Sequence, residues 1–239
     1  SHDGPLPPLV EEERLMAITL RSHVEAIAVT PRNTGFPIEL DRAARLIESQ
    51  RTSLGYTPLS QCFEAGGVKV RNIEVTIEPV VASDQRAVET LVVGAHYDTA
   101  AHSPGANDNG SGVSALLVLA RDLKQHQMVR TRVRLVFFVN EEPPHFKTEA
   151  MGSLVYARAL AATGEPVRGM LSLESLGAYF DAPGSQKYPR GLSKVLGFAL
   201  PEAGNFVAFV GTPSARRFVA EVTRQFRDVA AFPSVGGVA

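Results

Sequence analysis

The sequence is poor in several things, and each shortage narrows its chemistry. It carries one cysteine, Cys62, so no intrachain disulfide can form and the redox compartment stays open. It has no excess of either charge. The 24 basic and 25 acidic residues give a formal net charge of -1, and no block of like charge stands out. A nucleic-acid partner therefore has no electrostatic support. No apolar run approaches the roughly 20 residues a membrane span needs. The opening Ser1-His2-Asp3-Gly4 leads into prolines and acids and does not read as a signal peptide. What is present is a chain of 239 residues with 44% hydrophobic content, enough for one substantial core.

Periodicity divides the chain into elements. Leu15, Ile18, Val24 and Ile27 recur near helical spacing within residues 9–28, with Glu11, Glu12 and Glu13 in the first turn. A second helix is predicted over about 40–54, stopped by Gly55. Then the period becomes that of strands. Residues 68–77 alternate, with an irregularity near Asn72. Residues 90–95 and 133–139 are compact apolar runs of the kind covered on both faces. Residues 114–125 form a helix with a broad apolar face, and 152–162 another. Residues 170–176 read as a buried strand and 206–210 as a short one. Ser214 reads as the N-cap of a helix reaching about Asp228. This alternation predicts an α/β fold with a mostly parallel central sheet. The chain reads as one domain, 1–239, with N-terminal helices at about 8–54 and a site-bearing core at about 68–230.

Acids and one imidazole stand where strands run out. Ligand sites in sheets of this kind lie beyond the carboxyl ends of the strands. Leu91-Val92-Val93-Gly94-Ala95 ends in His96-Tyr97-Asp98. Side chains alternate along a strand, so His96 and Asp98 point to the same side. The pair reads either as a metal ligand steadied by a carboxylate on its far ring nitrogen, or as a buried histidine bonded to its neighbour. Asp108 lies in Gly105-Ala106-Asn107-Asp108-Asn109-Gly110-Ser111-Gly112, which leads into a helix. That loop reads as a plain capped turn or as a rigid mount for a carboxylate between cations. Glu141 and Glu142 follow Leu135-Val136-Phe137-Phe138-Val139. Two adjacent acids after a central strand are costly unless something neutralises them. Their side chains diverge, so one can bind metal while the other faces a substrate water. Glu174, inside a predicted buried strand, demands a partner; a cation answers that, and so does an arginine. Oxygen ligands with one imidazole suit Zn, Mn or Co. The signal is their order, each at its own strand end.

These segments resemble the co-catalytic zinc aminopeptidase family, whose wider superfamily includes glutamate carboxypeptidase-like proteins, the transferrin receptor ectodomain and the glutaminyl cyclases. The likeness is carried by Gly94-Ala95-His96-Tyr97-Asp98, by the run from Gly105 to Gly112, and by Asn140-Glu141-Glu142-Pro143-Pro144, Met151-Gly152-Ser153 and Leu173-Glu174-Ser175-Leu176-Gly177. It spans about 91–228 and looks closest to bacterial members with Glu at the position of Glu174. The resemblance implies a three-layer α/β/α zinc-exopeptidase fold of the phosphorylase/hydrolase type. It implies His96 and Glu174 on one zinc, Glu142 on the other, Asp108 bridging both, Glu141 as general base and Asp98 orienting His96. It also implies a cis Asp108-Asn109 bond. The implied activity is that of a zinc-dependent aminopeptidase acting on peptides, in a periplasmic or secreted location. Two alternatives stay open: a non-catalytic binding or assembly relative, and a glutaminyl cyclase-like acyltransferase.

The family places its last zinc ligand in a Ser-Asp-His-like segment, expected after Phe232-Pro233-Ser234-Val235-Gly236-Gly237, where the chain reaches Ala239. His2, His23, His102, His126 and His145 fit no ligand position. The expectation is a C-terminally truncated form of the fold. In it the zinc position using Glu142 is weakened, that of His96, Asp108 and Glu174 is whole, and an exposed C-terminal region favours a homo-oligomer.

Overall fold

The uninterrupted apolar runs become the middle of a sheet, and the polar runs its margin. The computed structural model describes residues 2, 4–80, 88–126, 128, 130–188 and 201–238. The chain divides into two units, Glu11–Gly177 and Ser1–Val10 with Ala178–Ala239.

In Glu11–Gly177 the strands are β1 (Leu59–Ala65), β2 (Val68–Ile77), β3 (Glu89–His96), β4 (Thr131–Phe138) and β5 (Val167–Ser172). They pair in the order β1-β2-β4-β3-β5. The β1–β2 and β2–β4 pairings are antiparallel, and β3 pairs in parallel with β4 and β5. Helices α1 (Glu11–Ile27), α2 (Pro37–Ser53) and α3 (Gly112–Leu123) share one core with Val93, Ala95, Leu135 and Phe137. The alternate residues Val92, Val136 and Phe138 pack with Tyr156 and Leu160 of α4 (Gly152–Ala162). Period-2 alternation thus sends successive side chains of β3 and β4 into two different layers, which is why these runs show no polar face. The layers are α/β/α, and the sheet is mixed.

Four details differ from the sequence reading. Strand β1, a polar run, was not anticipated; it joins β2 through Gly66-Gly67, whose positive φ values of 59° and 78° suit a two-residue hairpin. Asn72 marks no break, because β1 and β2 pair in continuous register through it. It is instead a buried clamp: Nδ2 donates to Gln61 Oε1 and Gly152 O, 2.8 Å each, and Oδ1 accepts the Val139 N–H at 3.1 Å. A Cβ at Gly152 would collide with Val139 O and Asn72 Oδ1, so only glycine lets α4 start against the end of β4. Third, β5 is a largely exposed strand that ends at Ser172, so Glu174 lies in the loop beyond it and not in a buried strand.

The fourth lies in the other unit. There β6 (Val207–Gly211) and β7 (Ser234–Val238) pair in parallel. The chain between them forms a 3-10 turn, Pro213–Ala215, and helix α5 (Arg216–Val229). Ser214 is not the N-cap of α5: it lies inside the turn and its hydroxyl pairs with Thr212 Oγ1 at 2.9 Å. Phe226 of α5 meets Phe209 of β6 with ring centroids 5.2 Å apart.

Candidate metal centre

The site is assembled beyond the carboxyl ends of β3, β4 and β5. His96 ends β3, and the Tyr97 N–H still donates to Phe138 O at 2.9 Å, so the parallel pairing carries the chain straight into Asp98. Asp98 is buried, 2% exposed. Its two carboxylate oxygens accept the N–H groups of Glu141 and Glu142, 3.0 Å each. Asp98 therefore fixes the turn after β4 that carries both glutamates. His96 Nδ1 lies 3.2 Å from the main-chain oxygen of Asp98 and 3.5 Å from its Oδ1. The expected carboxylate contact is present, but the main-chain oxygen is the nearer acceptor.

The other ring nitrogen faces the acids. His96 Nε2 is 3.1 Å from Asp108 Oδ1, 3.3 Å from Glu174 Oε2 and 3.8 Å from Glu141 Oε2. Among the described residues, His96, Asp108 and Glu142 are the group whose donor atoms all lie within 4.8 Å of one another. The structure thus brings His96, Asp98, Asp108, Glu141, Glu142 and Glu174 to one place. No described arginine forms an ion pair with any of the five acids.

The Asp108 loop is held from behind. Gly105 has φ 58°, and a Cβ there would strike Thr99 Cγ2 and Asp108 O. The Asp108-Asn109 bond is cis, as the resemblance implied, and so is Pro143-Pro144. Asn109 is fully buried. Its Nδ2 donates to Leu173 O at 2.8 Å and Glu174 Oε2 at 3.2 Å, while its Oδ1 accepts the Gly112 and Ser175 N–H groups at 3.0 and 3.3 Å. The residue after Asp108 therefore places Glu174. Sequence reasoning gave Asn109 no role, because an Asn in a Gly-rich loop is first a turn former. Arg32, equally unmarked in a helix-breaking loop, is fully buried and donates to Tyr97 O and Gly105 O.

The electrostatics follow from one imidazole among five carboxylates. Burial alone would lower the His96 pKa, but hydrogen bonds to Asp108, Asp98 and Glu174 outweigh it and push it up to about 12. Asp108 is held below the usual carboxylate range, chiefly by its bond to His96. Burial raises Glu141 and Glu142, and neighbouring acids add to the rise. The cluster strongly favours positive charge at Nε2.

Three other histidines of the same unit have partners outside this cluster. His145 Nε2 pairs with Thr34 Oγ1 at 2.9 Å, His102 lies edge-on to Phe36, and the exposed His126 Nδ1 pairs with Asp122 O at 2.8 Å.

Known proteins resemble this chain at two levels. The family described as Peptidase family M28 matches residues 76–215. The uncharacterized protein YfbL of Escherichia coli is 38% identical over 191 residues, covering 77% of this chain and 55% of that protein. The chain thus spans about half the length of that relative. A Zn-dependent exopeptidase from Parabacteroides distasonis superposes with a TM-score of 0.60 at 17% identity, over 98% of this chain and 78% of its own. A glutaminyl cyclase from Bacteroides thetaiotaomicron superposes with a TM-score of 0.62 at 15% identity, over 98% and 79%. At such identities these two likenesses are of fold.

Proposed function

The chain belongs to peptidase family M28, and from that premise we propose that it is a zinc-dependent exopeptidase, an aminopeptidase releasing N-terminal residues from peptides. The observation that carries this reading is the spacing around His96 Nε2. Ligand atoms about 2.0–2.1 Å from a tetrahedral zinc stand roughly 3.3 Å apart. The Asp108 and Glu174 oxygens lie 3.1 and 3.3 Å from that nitrogen. One imidazole with carboxylate oxygens is a donor set that zinc accepts, and the unneutralised acids call for a cation. The residues fit the metal.

In this reading His96, Asp108 and Glu174 hold one zinc, and Asp108 with Glu142 faces a second. Zinc held there would supply Lewis-acid polarisation of the scissile carbonyl and would acidify water. Glu141 does the proton work: its carboxylate takes the proton of the attacking water and returns it to the nitrogen of the leaving amine. Burial raises its pKa, which suits a group that must both accept and release a proton. Asp98 acts through two others, holding the Glu141 backbone and the His96 ring. The N-terminal ammonium of a peptide, bound beside these acids, would confine cleavage to the chain end.

The test is hydrolysis of aminoacyl 4-nitroanilides by the zinc-loaded chain, alongside cyclisation of a peptide with N-terminal glutamine. The expected result is anilide hydrolysis that falls on the order of 10³-fold in Glu141→Gln, with zinc binding retained. Cyclisation without hydrolysis moves the chain to acyl transfer. No turnover of either substrate removes the enzymatic reading.

A further inference from the structure

We propose that Arg32 is a positioning residue of the metal centre: its guanidinium brackets the segment bearing His96 and Asp98 against the loop bearing Asp108, and so sets the distance between their donor atoms. This rests on the metal-binding reading of the site. Arg32 lies outside the part of the chain that the family matches, residues 76–215.

The geometry is specific. Nε donates to Tyr97 O at 2.6 Å, and Tyr97 stands between His96 and Asp98. Nη2 donates to Gly105 O at 3.1 Å, and Nη1 to Pro104 O. Gly105 O also accepts the Gly110 N–H at 2.9 Å, the bond that closes the turn around Asp108. Nη1 reaches back to Ile27 O at 3.3 Å, which anchors the fork on the end of α1. The Arg32 backbone and Thr99 bond reciprocally: the Arg32 N–H donates to Thr99 Oγ1 at 2.9 Å and the Thr99 N–H to Arg32 O at 3.0 Å.

The chemistry of the side chain explains why an arginine stands here. The guanidinium offers five N–H donors in a fixed plane, which one side chain needs to hold carbonyls on both sides of a gap. Arg32 is fully buried. A buried charge spent only on solubility or on a surface pair has no reason to be there. Of its four carbonyl acceptors, none of them a carboxylate, three lie on the two segments that carry ligands and the fourth on the end of α1. Groups that orient ligands from behind typically change metal affinity 10–100-fold when removed.

The experiment uses the full chain. Zinc affinity is measured by competition with a chromophoric chelator for the unsubstituted chain, Arg32→Met and Arg32→Lys, each well below its melting temperature. The cobalt(II) absorption spectrum of each is recorded alongside. Stoichiometric zinc binding by the unsubstituted chain is the condition the metal-binding reading must meet; failure there removes that reading and the positioning role with it, whereas zinc binding left unchanged in the variants removes the positioning role alone. Given such binding, Arg32→Met is expected to weaken zinc about 10–100-fold and to alter the cobalt bands. Arg32→Lys, which keeps the charge but not the fork, is expected to fall between. A folded Arg32→Met with a lowered melting temperature but unchanged zinc affinity and cobalt spectrum overturns the proposal, since a purely structural residue behaves that way. If Arg32→Met does not fold, Arg32→Lys decides: weakening of at least about threefold supports the bracket, and unchanged affinity overturns it.

Discussion

The two units are held by different means. In Glu11–Gly177, every strand from β1 to β4 and helices α1 to α4 contribute buried side chains, and the segments bearing candidate site residues, that of Glu174 beyond β5 excepted, leave the buried ends of β3 and β4. In the unit containing α5, only two described residues are buried, Thr223 and Ser234, and both are polar. Among its described residues, α5 and the two parallel strands join through ring contacts and arginine bonds, such as Arg227 to Ser234. A site that must hold donor atoms to within tenths of an ångström needs side chains locked by packing. All six residues assigned to the centre lie in the densely packed unit.

The sharpest way to break this comparison is to loosen each unit in turn. Leu135, fully buried in β4, is expected to cost about 3 kcal/mol when changed to alanine. Phe226→Ala removes a half-buried ring from the Phe209 pair and is expected to cost about 1 kcal/mol while leaving zinc affinity unchanged. Urea unfolding and zinc titration measure both. Equal losses of stability, or a loss of zinc affinity in Phe226→Ala, would contradict the division of labour.

A smaller effect separates the units by acid. Glu165 pairs with Arg134 at 2.6 Å and also accepts from Thr90, and the Arg134 hydrogen bond lowers its pKa to about 2. A carboxylate whose pKa is depressed on folding stabilises above its unfolded value. That contribution is lost as pH falls from about 4.5 to about 2. The loss is expected to be about 2 kcal/mol, and Glu165→Gln should flatten it. In the other unit, Arg224 and Asp228 form an exposed pair at 2.9 Å, so Asp228→Asn should leave the acid limb unaltered. Acid unfolding followed by circular dichroism distinguishes the two.

The sequence disclosed the parts of this molecule that are repeated patterns and hid those that are single contacts. Apolar runs at β3 and β4 marked the centre of the sheet because both faces are covered, and α4 was readable to the residue. Strand β1 escaped because a polar edge strand has little periodicity to show. Glu174 was placed in a buried strand because Met170, Leu171, Leu173 and Leu176 continue an apolar run past the last pairing of β5. The six candidate site residues were picked out by their order along the chain, each at the end of a strand or in a segment that follows one. Asn109 and Arg32 were not, since their importance lies in bonds to main-chain groups 64 to 73 residues away.

The most direct test is anomalous diffraction at the zinc edge from crystals of the zinc-soaked chain. The account predicts a peak within bonding distance of His96 Nε2, with Asp108 and Glu174 oxygens around it. Zinc bound elsewhere, with His96 and the acids closed on one another through hydrogen bonds alone, would contradict it.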